Sequence, residues 1–230
     1  MLKESGIFPA KKETAIRFSN MLLDILPDID MLTSCSWLRS EQYLHNKYFP
    51  NANIISLGHT SSFIDNVTNP WTEALENKKV LIVYPFIETI KKQYKKRTKL
   101  FANPKVLPKF TLKTLSTVQS LGYHSARVCG YETWFDALDA MCHQINNIDF
   151  DIAVIGAGGY GIFLAHHVKS IGKKAIHIGG ATQLLFGIKG GRWTKWGYDK
   201  HLYNEHWVSP SPKETPKNFT DIGDGPNTYW

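Results

Sequence analysis

The chain is poor in cysteine. Three thiols, Cys35, Cys129 and Cys142, are scattered through 230 residues. They are too few for a disulfide framework, and none belongs to a C-x-x-C pair of the kind that holds zinc or does redox work. The scarcity points to a reducing, cytoplasmic setting. Long apolar runs are also missing. No stretch reaches membrane-spanning length, and charges and a proline break the first ten residues where a secretion signal needs an apolar centre. Neither a G-x-x-x-x-G-K-[ST] loop nor a G-x-S-x-G elbow occurs. Cys142 lies within a helical pattern with no paired base, so covalent nucleophile chemistry has no support. His166 and His167 are adjacent and have no third ligand at a helical offset, so no metal site is expected. There is no internal repeat and no low-complexity tract.

What is present fits one compact globular unit. Apolar residues make up 43%, charged residues 20% and aromatics 13%, the composition of a chain that can bury a core. The net charge of +7 is concentrated at Lys91, Lys92, Lys95, Lys96, Arg97 and Lys99, with Lys189 and Arg192 beside a second glycine pair. Such a surface favours anionic partners, among them nucleotide diphosphates, phospholipid headgroups and nucleic acid, without choosing between them. The simplest account of the run is a solvated helix face on which Glu88 pairs with Lys92 at i,i+4.

Apolar spacing from Thr14 to Leu26 predicts a first helix ended by Pro27. The irregular stretch that follows predicts a cap region with one strand near Asn53–Leu57. Lys79–Phe86 reads as a buried-type strand terminated by proline, and Ile87–Phe101 carries a helical stripe. A strand is expected near Thr111–Val118. Thr133 to Asp136 forms a capping box that opens a helix to about Asn146, with Trp134, Leu138, Met141 and Ile145 as its buried stripe. Further strands are expected at Asp151–Ile155 and Lys174–Ile178, with a helix to Ile171 between them and a short helix from Thr182. This alternation predicts an α/β fold: a Rossmann-like, mostly parallel sheet flanked by helices, with an irregular N-terminal helical cap. The single domain divides into a cap over 1–75, a core over 76–208 and a tail over 209–230 that wraps the core.

The motif with most chemical content is FDIAVIGAGGYG at 150–161, a strand running into G-x-G-x-x-G. This spacing sets a tight turn whose backbone N–H groups face an incoming anion. A second glycine turn, Gly179-Gly180, ends the next strand, so two strand ends would face one crevice. Gly156, Gly158 and Gly159, with the N–H groups of Tyr160 and Gly161, are the candidate diphosphate contacts. Packing of helix against sheet is the competing account of the glycines. Thr182 and Gln183 open the following helix toward the same crevice, and Lys189 and Arg192 can neutralise a ligand's charge. The Gly187–Trp193 run reads as a flexible loop that closes over a ligand. A dinucleotide fold would place an acid at the end of the second strand to hold ribose hydroxyls. His177, Gly179 and Gly180 stand there instead. Glu41, Glu88, Glu132 and Glu205 lie beside predicted strand ends or aromatic turns, where a carboxylate can act as general base toward a hydroxyl.

The block Phe150–Trp193, together with Lys79–Phe101, Trp134–Leu138, Tyr203–Val208 and Tyr229-Trp230, resembles a family found among polysaccharide-biosynthesis proteins of bacteria and large viruses. The likeness covers about two thirds of the chain. More distantly, the strand-glycine-helix pattern followed by IHIGG resembles the GT-D type glycosyltransferases. That resemblance implies transfer of a sugar, with a deoxysugar such as rhamnose a named candidate, from a nucleotide diphosphate to a glycan hydroxyl. Those enzymes carry a D-x-E metal motif, and this chain has none. The nearest counterpart is Arg39-Ser40-Glu41. The expectation is therefore a metal-independent glycosyltransferase with a UDP-linked donor and no other cofactor. Glu41 or Glu132 would be its base, with a glycan or glycoconjugate as acceptor and a peripheral membrane contact as a further partner. Nucleic acid is not an expected partner. The alternatives are an NAD(P)- or adenosylmethionine-dependent enzyme and a non-enzymatic docking protein.

Overall fold

The computed structural model describes residues 5–34, 39–56, 58, 68–120, 130–216 and 227–230. Cys35, Trp37, Leu57, His59 to Ser62 and Cys129 lie outside them. Helix α1, Lys12–Ile25, carries the apolar stripe read from the sequence and passes into a tight turn at Leu26–Asp28 that contains Pro27. Proline suits such a turn because it has no N–H to leave unbonded. The cap region then holds β1 (Met31–Ser34), α2 (Arg39–Tyr48) and β2 (Asn53–Ser56). The two strands pair in parallel, Met31 opposite Asn53 through Ser34 opposite Ser56. One strand was expected here and two are found. β1 has four residues, none of them buried, so it gives no apolar run to read.

The main sheet is made of β3 (Lys79–Val83), β4 (Thr111–Leu115), β5 (Ile152–Ile155) and β6 (Lys174–His177), all parallel in the order β4-β3-β5-β6. Its crossovers run through α3 (Ile87–Tyr94), α4 (Trp134–Asn146) and α5 (Gly161–Ser170). This is the α/β, Rossmann-like arrangement the alternation predicts. Side-chain alternation along the strands divides the core. Leu81, Val83, Ala153 and Ile155 face α1, α4 and α5. Val80, Ile82 and Val154 face α3 and the segment that follows β6. That segment holds α6 (Ala181–Leu185) and α7 (Gly191–Lys195).

The capping box is formed as predicted. Thr133 Oγ1 accepts from the Asp136 N–H at 3.2 Å, and the Asp136 carboxylate accepts from the Thr133 N–H at 2.9 Å. Trp134, Leu138, Met141 and Ile145 are all buried. α3 is shorter than its stripe suggests. It stops at Tyr94, and a tight turn over Arg97–Lys99 follows. The bend carries Leu100 into the core, where its carbonyl accepts from Trp207 Nε1 at 3.1 Å. Glu88 pairs with Lys91 at i,i+3 (2.6 Å) rather than with Lys92.

The first turn of α3 is capped from the far end of the chain. The Glu214 carboxylate accepts from the N–H groups of Glu88 (2.7 Å) and Thr89 (3.2 Å) and from Thr89 Oγ1. A negative charge is favoured there because the first N–H groups of a helix have no partner within it. Glu214→Ala is expected to cost about 1–2 kcal/mol and to speed amide hydrogen exchange in the first turn of α3. Unchanged protection at Glu88 and Thr89 would contradict this capping role.

Candidate functional site at the carboxyl ends of the sheet

Strand order reverses between β3 and β5. β3 leads through α3 to β4 on one side, and the chain returns to β5 on the other. Connections diverge at such a reversal and leave a crevice outside the carboxyl ends. The glycine turn lies beside it. The ladder continues one residue past the strands, since the Gly156 N–H donates to the Val83 carbonyl at 2.8 Å and the Ile178 N–H to the Ile155 carbonyl at 3.0 Å. Gly156 is thereby wedged between the other two strand ends. A methyl group on it would overlap the Gly179 carbonyl and lie 2.5 Å from Tyr84 Cδ2. The two glycine turns therefore touch.

The predicted glycines divide by role. Gly156 and Gly161 let backbone pack closely, Gly161 against the His177 ring. Gly180 lies under Tyr229 and Trp193, and Gly159 lies beside the Ser5 carbonyl, so the N-terminal segment covers that side of the turn. Gly158 (φ +50°) and Gly179 (φ +57°) are left-handed, and a side chain at either would meet no atom within 4 Å. Their outer faces are open, and glycine holds this conformation without a Cβ penalty.

The expected N–H contacts at Tyr160 and Gly161 are already used. Tyr160 donates to the Ala157 carbonyl at 3.1 Å and Gly161 to the Gly158 carbonyl, because the turn winds into a 3-10 helix before α5 begins. The N–H groups of Gly158, Gly159, Gly179 and Gly180 donate to no backbone carbonyl among the described residues. An anion held here would meet those four amides.

Thr182 and Gln183 are fully buried and do not line an open crevice. Gln183 is a structural tie. Its Oε1 accepts from Tyr84 Oη at 2.8 Å, and its Nε2 donates to the carbonyls of Lys189 (2.8 Å) and Tyr229 (3.2 Å). Burial, with Tyr229 nearby, raises the Tyr84 pKa well above the ordinary phenol value, so the hydroxyl stays a donor. The run from Gly187 is not a flexible flap. Ile188 is buried and bridges to Val208, and α7 begins at Gly191.

Lys189 reaches over the Tyr203 ring (5.7 Å), and the Arg192 guanidinium lies over Tyr229 (5.0 Å). Residues 227–230 form a wall at this edge. The Gly191 and Arg192 N–H groups donate to the Asn227 and Thr228 carbonyls, and Trp230 meets Phe86 edge to face.

The structure separates the candidate carboxylates. Glu132 is exposed at the carboxyl edge, two residues before Trp134, whose ring stacks on Tyr160 at 4.6 Å. Glu41 lies in the cap, where it accepts from Ser34 Oγ at 2.8 Å and lines a shallow cavity of about 190 Å³ with His45 and Asn46. Glu88 pairs with Lys91, and Glu205 with His206 at 3.4 Å.

The sequence reading took His177 only as a missing acid. It ends β6 opposite Ile155, its ring packed against Gly161 while the residue stays exposed, and desolvation of the ring pulls its pKa down to about 4. Its imidazole is therefore neutral near pH 7.

Among the described residues no group of three or more His, Cys, Asp or Glu is gathered as a metal site requires, and no helix is long and apolar enough to cross a membrane. Comparison with protein-family models, with curated proteins and with solved structures finds no match, so the site is read from its own residues.

Proposed function

We propose that this chain is a glycosyltransferase that moves a sugar from a nucleotide diphosphate, UDP-linked in the leading reading, to a glycan hydroxyl without a metal ion. The observation that carries the reading is the contact between the two glycine turns, with Gly158 and Gly179 open on their outer faces. The distant resemblance of the strand-glycine-helix pattern and the IHIGG strand to GT-D type enzymes supports the same class. In this reading the diphosphate rests on the amides of Gly158, Gly159, Gly179 and Gly180, and Arg192 and Lys189 neutralise the leaving group. Glu132 takes the acceptor's hydroxyl proton as the new C–O bond forms and the bond from the anomeric carbon to the diphosphate oxygen breaks. The diphosphate leaves with the electron pair.

Thermal-shift titration against UDP-, GDP- and dTDP-sugars tests the reading, with stabilisation by at least one of them expected. A response to NAD(P) or adenosylmethionine alone would move the crevice to that class of enzyme. Gly158→Leu is expected to abolish the nucleotide response, because its side chain fills the open face. Leaving the left-handed glycine should lower stability by only about 1–2 kcal/mol. Retained binding in Gly158→Leu would remove the diphosphate from this turn.

One observation favours a second, non-enzymatic reading. Lys92, Lys95, Lys96 and Lys99 are all exposed on one segment, a surface suited to docking on an anionic membrane. Salt-sensitive binding to phosphatidylserine vesicles, with no response to any nucleotide, would select it.

A further inference from the structure

We propose that His177 reads the ribose 2′-hydroxyl of a nucleotide seated on the Gly156–Gly161 turn, which makes the ligand a ribonucleotide rather than a 2′-deoxyribonucleotide. The inference rests on the nucleotide reading above and narrows it.

β5, its glycine turn, α5 and β6 form one βαβ unit with parallel strands. In such a unit the diphosphate sits at the turn, and the nucleoside extends toward the end of the second strand. His177 is the last residue of that strand and pairs in register with Ile155, the last residue of the first. Its ring lies against Gly161 at the first turn of α5, close enough that a methyl group on that glycine would overlap it. The side chain is solvent-exposed. No hydrogen bond joins the ring to another described residue, whereas His45, His166 and His167 each have a polar partner. A strand-end side chain beside the diphosphate turn, solvent-facing and with no bonded neighbour, is placed for a ligand.

The chemistry suits the ribose 2′-hydroxyl. A carboxylate at this position only accepts hydrogen bonds. A neutral imidazole has one N–H donor and one bare nitrogen on diverging sides of its ring, so a single nitrogen faces the ribose and bonds the 2′-hydroxyl. The lowered pKa keeps the ring in this neutral form near pH 7. Uncharged His177 also adds no negative charge beside a diphosphate, unlike the acid it replaces.

Calorimetric titration of the whole chain with UDP, dUDP, GDP and dGDP tests this. For whichever base binds, the ribonucleotide is expected to bind about tenfold more tightly than its 2′-deoxy counterpart, as loss of a well-made hydrogen bond implies. His177→Ala should weaken the ribonucleotide to the deoxy level and leave the deoxynucleotide unchanged. His177→Phe keeps a flat ring against Gly161 but removes both nitrogens, and should lose the preference in the same way. If the wild type shows no ribose preference, or either variant keeps it, His177 is a packing residue and the proposal falls while the diphosphate cradle stands. If no nucleotide binds the wild type, the cradle falls and this proposal with it.

Discussion

Gly156→Val is expected to lower the unfolding free energy by about 3 kcal/mol or more, at the upper end of overpacking costs. Three strand ends meet at this residue. Its N–H holds the Val83 carbonyl, and the space a side chain needs is filled by the Gly179 carbonyl and the Tyr84 ring. Neither neighbour can yield cheaply. The carbonyl is backbone, and Tyr84 is 3% exposed with its hydroxyl bonded to Gln183. Relief therefore requires β5 to separate from β3 and β6. Gly158→Ala, two residues on, meets open space and bears only the left-handed penalty of about 1–2 kcal/mol. Urea denaturation of both variants separates the roles. Equal costs would mean that the two glycines serve the turn alike, against the division drawn here.

Gln183→Leu is expected to cost about 3–5 kcal/mol, because the substitution strands several buried polar groups at once. The amide joins the end of β3 through Tyr84 Oη, the loop after α6 through the Lys189 carbonyl, and the C-terminal wall through the Tyr229 carbonyl. Leucine fills similar space but bonds none of them. Tyr84→Phe alone leaves Gln183 Oε1 unbonded and should cost about 1–3 kcal/mol. The double variant should fall short of the sum, since each single change already breaks the shared bond. Strict additivity in urea denaturation would show that the Tyr84–Gln183 bond contributes nothing. Gln183 was a candidate ligand contact by sequence, and burial with an occupied amide makes it part of the frame behind the site.

Local signals were the ones the sequence displayed well. The capping box at Thr133, the stripe of α4 and the apolar runs of β3 and β5 depend on neighbours three or four residues away or on strand alternation, so their side chains alone announce them. β1 was not legible because it is short and half-open on both faces. The end of α3 was misread because burial of Leu100 against Trp207, more than a hundred residues away, decides where the helix bends. The glycine turn was found by its spacing, but which of its amides remain available depends on how tightly it winds before α5.

The sequence by itself determined the α/β alternation, the Thr133 capping box and the presence of two glycine turns after successive strands, because each follows from residues close together in the chain. Only the tertiary structure decided that the turns touch at Gly156, that Glu214 caps α3 and that Gln183 is bonded to Tyr84. The last two contacts join residues about a hundred or more positions apart. Pairing at that range is selected by packing of the whole sheet, whose total burial offsets the entropy of bringing distant segments together. The same packing leaves the outer faces of Gly158 and Gly179 open and His177 exposed to solvent.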